Sequence, residues 1–316
     1  MTATHTELVI RPITGRDELD LFCQIPYLLN DELADDLDSG HRRPEWLWMA
    51  LRGDRLVARA AWWKMSDHTA PGVLDIFDID DGCSGPERLD TGVRLLREAA
   101  AAVIPAGTTP PEYSRFVSAD WRDHPAARRA VEDRMKAAER TGARLFVERL
   151  RLEWRPGTPI PARTGRLAFV PVSDHDELIT LMTAVMDGTL DAHGRRDLTQ
   201  MSPAQAAARH YQGELAQYRS PREWWQIARL PGGAPAGFVI PAHNGYNPII
   251  AYIAVLPAYR GNGYIDELLA EGTRILAAQD VPRIRASTDL GNVPMAAAFR
   301  RAGWAQFGRQ INMTWD

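Results

Sequence analysis

The sequence contains the same phrase twice. Leu8-Val-Ile-Arg-Pro-Ile13 reads as a strand, and Thr14-Gly-Arg-Asp-Glu-Leu19 after it as a hydroxyl-capped helix start with early carboxylates. The phrase returns as Leu167-Ala-Phe-Val-Pro-Val172 and Ser173-Asp-His-Asp-Glu-Leu178. Each copy closes on an alternating strand that ends in tryptophan, Leu150–Trp154 and Ile311–Trp315, after a helix stopped by Gly142 or Gly303. Midway, each carries a Trp-led hairpin, Trp46–Ala58 and Trp224–Val239. A repeat of this kind restricts the chain to one α+β unit used twice, and 316 residues suffice for two domains of ordinary size. Between the copies, Arg155–Gly165 holds three prolines and two glycines and can continue neither a sheet nor a helix. The expected organisation is therefore a first domain over 1–155, a linker over 156–165 and a second domain over 166–316.

Composition excludes some functions. A net charge of −4 and a pI near 6.1 give no basic field for a nucleic-acid partner. The longest apolar run, around Ile249–Leu256, spans about nine residues and is too short to cross a bilayer. The polar N-terminus has no signal core. Cys23 and Cys83 form no C-x-x-C pair, and no His/Cys spacing suggests a metal. A reducing cytoplasm is the expected compartment.

One stretch carries chemistry. Ile249-Ile-Ala-Tyr-Ile-Ala-Val-Leu256 is an apolar, β-branched strand. Pro257 follows, then the basic turn Arg260-Gly-Asn-Gly-Tyr264, then a long amphipathic helix with Ile265, Leu268, Leu269, Ile275 and Leu276 at helical spacing. Such a turn offers unobstructed backbone N–H groups at the positive end of a helix dipole, a holder for phosphate.

With a second motif, the second copy resembles the GNAT N-acyltransferase superfamily. Arg260-Gly-Asn-Gly-Tyr-Ile265 is similar to that family's acyl-CoA pyrophosphate loop. Asn292-Val-Pro-Met-Ala-Ala-Ala-Phe-Arg-Arg-Ala-Gly-Trp304 is similar to its later Asn…Tyr…Gly-aromatic segment. The resemblance implies two tandem GNAT-like domains, each a mixed twisted sheet flanked by helices. It implies that the strand backbone near Ile253, Ala254 and Val255 pairs with the pantetheine arm, in a splay between this strand and the next. It further implies that Arg260, Gly261, Asn262, Gly263, Tyr264 and Ile265 hold the pyrophosphate, and that Asn292 contacts the cofactor or orders the loop near it. The co-substrate would be acetyl-CoA or another acyl-CoA, and the acceptor a small-molecule amine. The tandem plan is similar to that of mycothiol synthase-type proteins.

Two positions depart from the pattern. Ile265 replaces the loop's last small residue. Phe299 stands where the family often has a Tyr that protonates the leaving thiolate; the thiolate then leaves unaided, Tyr252 or Tyr264 substitutes, or catalysis is slow or absent. The strand also lacks a carboxylate base. Candidates lie in Asp187-Gly-Thr-Leu-Asp-Ala-His193, read as a loop: His193 for its intrinsic pKa, and Asp187. Glu223 and His243 are weaker candidates, and Trp224-Trp225 could wall a pocket. In the first copy, the loop position reads Asp80-Asp-Gly-Cys-Ser-Gly-Pro-Glu-Arg88, without a basic Gly-x-Gly turn. That copy reads as a degenerate GNAT-like domain with a structural or pocket-completing role, an unrelated α+β domain being the alternative. The expected activity is an acyl-CoA-dependent N-acyltransferase; a catalytically weak acyl-CoA sensor and a protein N-acetyltransferase are the alternatives.

Overall fold

The computed structural model describes residues 7–65, 69–82 and 87–315. Cys83 and its neighbours through Pro86 lie outside the described residues, as does Asp316. The first half runs β1 (Leu8–Pro12), α1 (Leu19–Phe22), α2 (Leu33–Asp38), β2 (Leu47–Arg52), β3 (Arg55–Trp63), β4 (Val73–Ile79), α3 (Glu87–Val103), β5 (Tyr113–Val117), α4 (Pro125–Glu139) and β6 (Arg144–Trp154). The second runs β7 (Ala168–Pro171), α5 (His175–Val185), α6 (Ala192–Gln200), α7 (Pro203–Gly213), β8 (Gln226–Arg229), β9 (Pro235–His243), β10 (Pro248–Val255), α8 (Tyr264–Ala277), β11 (Ile284–Asp289), α9 (Val293–Arg301) and β12 (Ala305–Thr314). The fold is α+β, with one order of strands and helices used twice.

The chain divides into two compact units, Met1–Glu148 with Arg309–Asp316, and Arg149–Gly308. The division differs from the sequence copies in their last strands. Leu150–Trp154 pairs antiparallel with β11, Ile284↔Trp154 through Asp289↔Arg149. Arg309–Met313 pairs antiparallel with β5. Each closing strand thus completes the other copy's sheet. Leu150, Leu152 and Trp154 join the core of the second unit, Ile311 and Met313 that of the first. The Pro-rich segment lies inside the second unit, strapped to α8: Arg163 donates to both carboxylate oxygens of Glu271 at 2.9 and 2.6 Å, and Arg274 to Pro161 O at 2.6 Å.

Within the second unit the strand order is β6-β11-β10-β9-β8-β7. Strand alternation feeds two cores. Val239, Ile250 and Val255 pack with Leu268, Leu269 and Leu276 of α8 and Ala298 and Phe299 of α9. Phe238 and Ile240 pack with Leu178, Met182 and Val185 of α5 and Ala207 of α7. Tyr252 and Ala254 of β10 lie against the α5–α7 side, Ile253 against the α8 side.

Two irregularities shape the middle of this sheet. β10 pairs with β9 along its length, but the register slips between Ile250 and Tyr252, leaving Ala251 as a bulge. On its other side β10 meets the parallel β11 only at Ile249↔Arg285. Beyond that pair the strands part. Ala251 to Ala254 are partly exposed although β10 has a strand on each side.

Candidate active site

The parted edge of β10 leads directly into the glycine turn. Gly261 and Gly263 both take left-handed backbone, φ 81° and 75°, which glycine alone adopts without strain. Gly263 is the N-cap of α8, and no side chain caps that helix. The other helices of this unit are capped by Asp174, Asp191, Ser202 and Asn292. The first amides of α8 therefore face a helix dipole's positive end with no acceptor supplied by a capping side chain. Ile265 packs its side chain into the α8 core, so its bulk leaves the amides clear.

Arg260, expected beside phosphate, turns its guanidinium elsewhere. It donates to Val185 O at 2.9 Å, Asp187 O at 2.7 Å and Gly188 O at 3.4 Å, and its Nε to Val255 O at 3.3 Å. It caps the carbonyl end of α5 and fastens it to the end of β10. The cation at the turn is instead Arg166. It donates to Asn262 O at 3.0 Å, pairs with Glu267 at 2.5 Å and stacks over Tyr264 at 5.1 Å. Its place at the end of the Pro-rich segment hid it from a motif search. Asn292 orders the β11–α9 turn by accepting from Met295 N at 3.3 Å.

The acceptor-side candidates separate. Residues 187–193 are not all loop: a helix begins at Ala192, because Asp191 caps it by accepting from Gly194 N at 2.7 Å. Gly194 in the first turn had masked this start. The Ala192 N–H donates to Asp289 at 2.6 Å, and Arg149 holds that carboxylate at 3.0 Å. His193 is thereby set, half-buried, in the first turn of α6 near the end of β11. Asp187 is exposed, its backbone engaged by Arg260. His243 pairs with Pro248 at the opposite end of β10, roughly 23 Å along the strand from Val255 at ~3.3 Å per residue. The Glu223 carbonyl accepts from Gln226 at 2.7 Å. Trp225 is core; Trp224 is half-buried between the two cores. Phe299 is 1% exposed and meets Trp304 edge-on at 5.1 Å, so it supplies packing and no proton.

A further cluster went unnoticed in the sequence. On the α5–α7 side, the Tyr252 ring lies 4.9 Å from that of His210 and 5.0 Å from that of Phe238. His210 Nε2 sits 3.3 Å from Glu214 Oε2, and Tyr218 donates its hydroxyl proton to Glu214 Oε1 at 2.6 Å. Burial pushes the Tyr252 hydroxyl well above the usual phenol range; Asp191 adds to this and Arg260 opposes it. The only sequence signal was the i, i+4 spacing of His210 and Glu214.

Residues 193–304 match the acetyltransferase (GNAT) family model. The chain carries a GNAT domain. The matched span holds the parted strand, the glycine turn, α8 and Asn292. No curated protein matches the chain by sequence. Among solved structures, a GCN5-related N-acetyltransferase from Sphaerobacter thermophilus is similar at TM-score 0.60 and 14% identity, over 97% of this chain and 95% of that one. A tandem GNAT protein from the clavulanic acid biosynthesis pathway is similar at TM-score 0.54 and 16% identity, over 98% of each. At these identities the likeness is one of fold, and it extends over both GNAT-like units. No helix among the described residues is long and apolar enough to cross a membrane.

Proposed function

We propose that the chain is an acyl-CoA-dependent N-acyltransferase, using acetyl-CoA in the simplest case and a small-molecule amine as acceptor, with its active site in the second copy, 166–316. The observation that carries this reading is the conjunction of a strand parted from its neighbour after Ile249↔Arg285 and an uncapped helix start at the end of that strand. The parted edge at Ile253, Ala254 and Val255 takes the amides and carbonyls of the pantetheine arm, beside the Val255 carbonyl that accepts from Arg260. The amides from Gly261 to Ile265 take the pyrophosphate, with Arg166 as the neighbouring positive charge.

The chain's own residues then act on a thioester lying in the parted edge. Backbone amides near the Ala251 bulge donate to the carbonyl oxygen as it gains charge. Phe299, buried in the core, leaves the thiolate without a proton from α9. This favours, as a second reading, a slow enzyme or acyl-CoA sensor.

Titration calorimetry with acetyl-CoA tests the cofactor assignment. Gly263→Asp sets a carboxylate and a strained backbone against the pyrophosphate and is expected to weaken binding at least ~30-fold, about 2 kcal/mol. Unchanged binding in that variant refutes the assignment. Thiol release with a panel of amines separates enzyme from sensor.

A further inference from the structure

We infer that His210 is the base that takes the acceptor amine's proton, held by the Glu214 carboxylate and seated on Tyr252 of the parted strand. The inference rests on the acyltransferase reading and adds the residue which sequence motifs did not supply.

His210 lies in the last turn of α7, and the Glu214 N–H that ends this helix donates to His210 O at 3.0 Å. The Glu214 carboxylate folds back to Nε2 at 3.3 Å. A carboxylate accepts, so Nε2 carries the proton and the lone pair is left on Nδ1. Tyr218 fixes the other carboxylate oxygen. The imidazole is tilted 32° over the Tyr252 ring, next to the bulge and on the strand that leads into the glycine turn. His210 and Glu214 remain reachable, with side chains 34% and 48% exposed. They thus combine an oriented lone pair, a partner for the imidazolium, and access beside the edge where the thioester lies. Tyr252 keeps its proton and acts as a neutral platform for the imidazole.

The step balances without another reactant. The amine lone pair forms the C–N bond at the thioester carbonyl carbon. The nitrogen sheds one proton to Nδ1 of His210. The C–S bond breaks with its electron pair on sulfur, and the imidazolium proton passes through solvent to that thiolate, giving amide and free thiol. The charged and titratable groups around His210 are Glu214 and Tyr218 beyond α7, Tyr252 on β10, Asp191 and Arg260 acting on Tyr252, and Arg149 acting on Glu214. Arg209 beside it is engaged with Asp197.

The test is thiol release from acetyl-CoA by the full chain, with putrescine, glucosamine, tryptamine, glycine and water as acceptors, and calorimetry of acetyl-CoA alone. His210→Ala and His210→Asn are expected to lower kcat by ~10²–10⁴-fold, with acetyl-CoA affinity kept within about twofold and part of the rate restored by added imidazole. Glu214→Gln is expected to keep partial activity, lowering kcat less than His210→Ala does and leaving acetyl-CoA affinity within about twofold, because the base remains and only its carboxylate partner is lost. A His210→Ala rate within about threefold of wild type overturns the assignment, since a general base contributes more than that. So does a fall in acetyl-CoA affinity that matches the fall in rate, and so does a wild-type chain that binds acetyl-CoA and turns over no acceptor, water included. Failure of the wild type to bind acetyl-CoA overturns the acyltransferase reading itself, and the base with it.

Discussion

Gly237→Ala separates the cofactor strand from general stability. Gly237 on β9 pairs with Val255 at the end of β10. A Cβ there would meet Ala254 O far inside the 3.0 Å at which neighbours must shift, with Leu268 Cδ1 at 3.0 Å and Val255 Cα at 3.1 Å. The obstacle is mainly backbone, so relief requires β10 itself to move by several tenths of an ångström. Overpacking of this kind costs about 1–3 kcal/mol, which at 2–4 °C per kcal/mol lowers Tm by about 2–12 °C. The strand moves where Ala254 and Val255 are proposed to pair with pantetheine. Losing two such hydrogen bonds at about 1 kcal/mol each weakens acetyl-CoA about 30-fold. Gly272→Ala is the control. Its Cβ meets Val239 Cγ2 at 2.7 Å and Ile250 Cδ1 at 2.9 Å, side-chain ends that can turn aside without moving the backbone of β10. It is expected to lower Tm comparably while leaving acetyl-CoA affinity within about twofold, because packing, not the binding edge, takes the strain. Differential scanning calorimetry and isothermal titration well below either Tm give both numbers. A folded Gly237→Ala chain that binds acetyl-CoA like wild type refutes the assignment of β10 as the cofactor strand.

Two further outcomes follow from the same geometry. Phe299→Tyr restores the family's usual residue, but its ring lies in the core against Trp304; kcat is expected to stay within about threefold, and a gain approaching the ~10²-fold of an added general acid would show that this side chain reaches the thiolate. In the first unit, burial works to raise the Asp78 carboxyl, but Arg115, Arg59 and Arg134 together bring it from 3.8 down to about 2. A depressed carboxylate contributes stability above its unfolded pKa, here about 2 kcal/mol, and loses it as pH falls from about 4 through 2. Urea midpoints between pH 2 and 7 should fall across that window in wild type and less in Asp78→Asn; equal slopes would refute the cause.

The repeat and the glycine turn were legible because each rests on local grammar: a strand, glycines with positive φ, an uncapped amphipathic helix. The exchange of closing strands was not. Leu150–Trp154 and Ile311–Trp315 share the same alternation, so either satisfies either sheet, and only three-dimensional pairing decides. The direction of Arg260 was illegible for a related reason. A basic residue in a phosphate turn and a basic residue capping α5 look alike until Val185–Gly188 are placed. His210 escaped notice because its significance comes from Tyr252, far along the chain, and not from its own helix.

The two units also explain why one copy is assigned the cofactor. In the first, the parallel pair β4–β5 likewise meets at a single position, Leu74↔Tyr113, beside a register shift in the neighbouring pair. A parted strand leaves backbone groups that need partners. Here the chain supplies them. Arg115 donates to Phe77 O at 3.0 Å and Arg134 to Ile79 O at 3.0 Å, and both guanidiniums are held by buried Asp78. Asp81 pairs with Arg88 and Arg134. In the second unit Arg260 reaches one such carbonyl, Val255 O, and Ala251 to Ala254 stay partly exposed. The first copy has thus filled with its own arginines the edge that the second leaves partly exposed. Opening that edge means removing Arg115 or Arg134, and with either gone the buried Asp78 loses one of the three guanidiniums that balance its charge. Stability therefore opposes opening that edge in the first copy by either substitution.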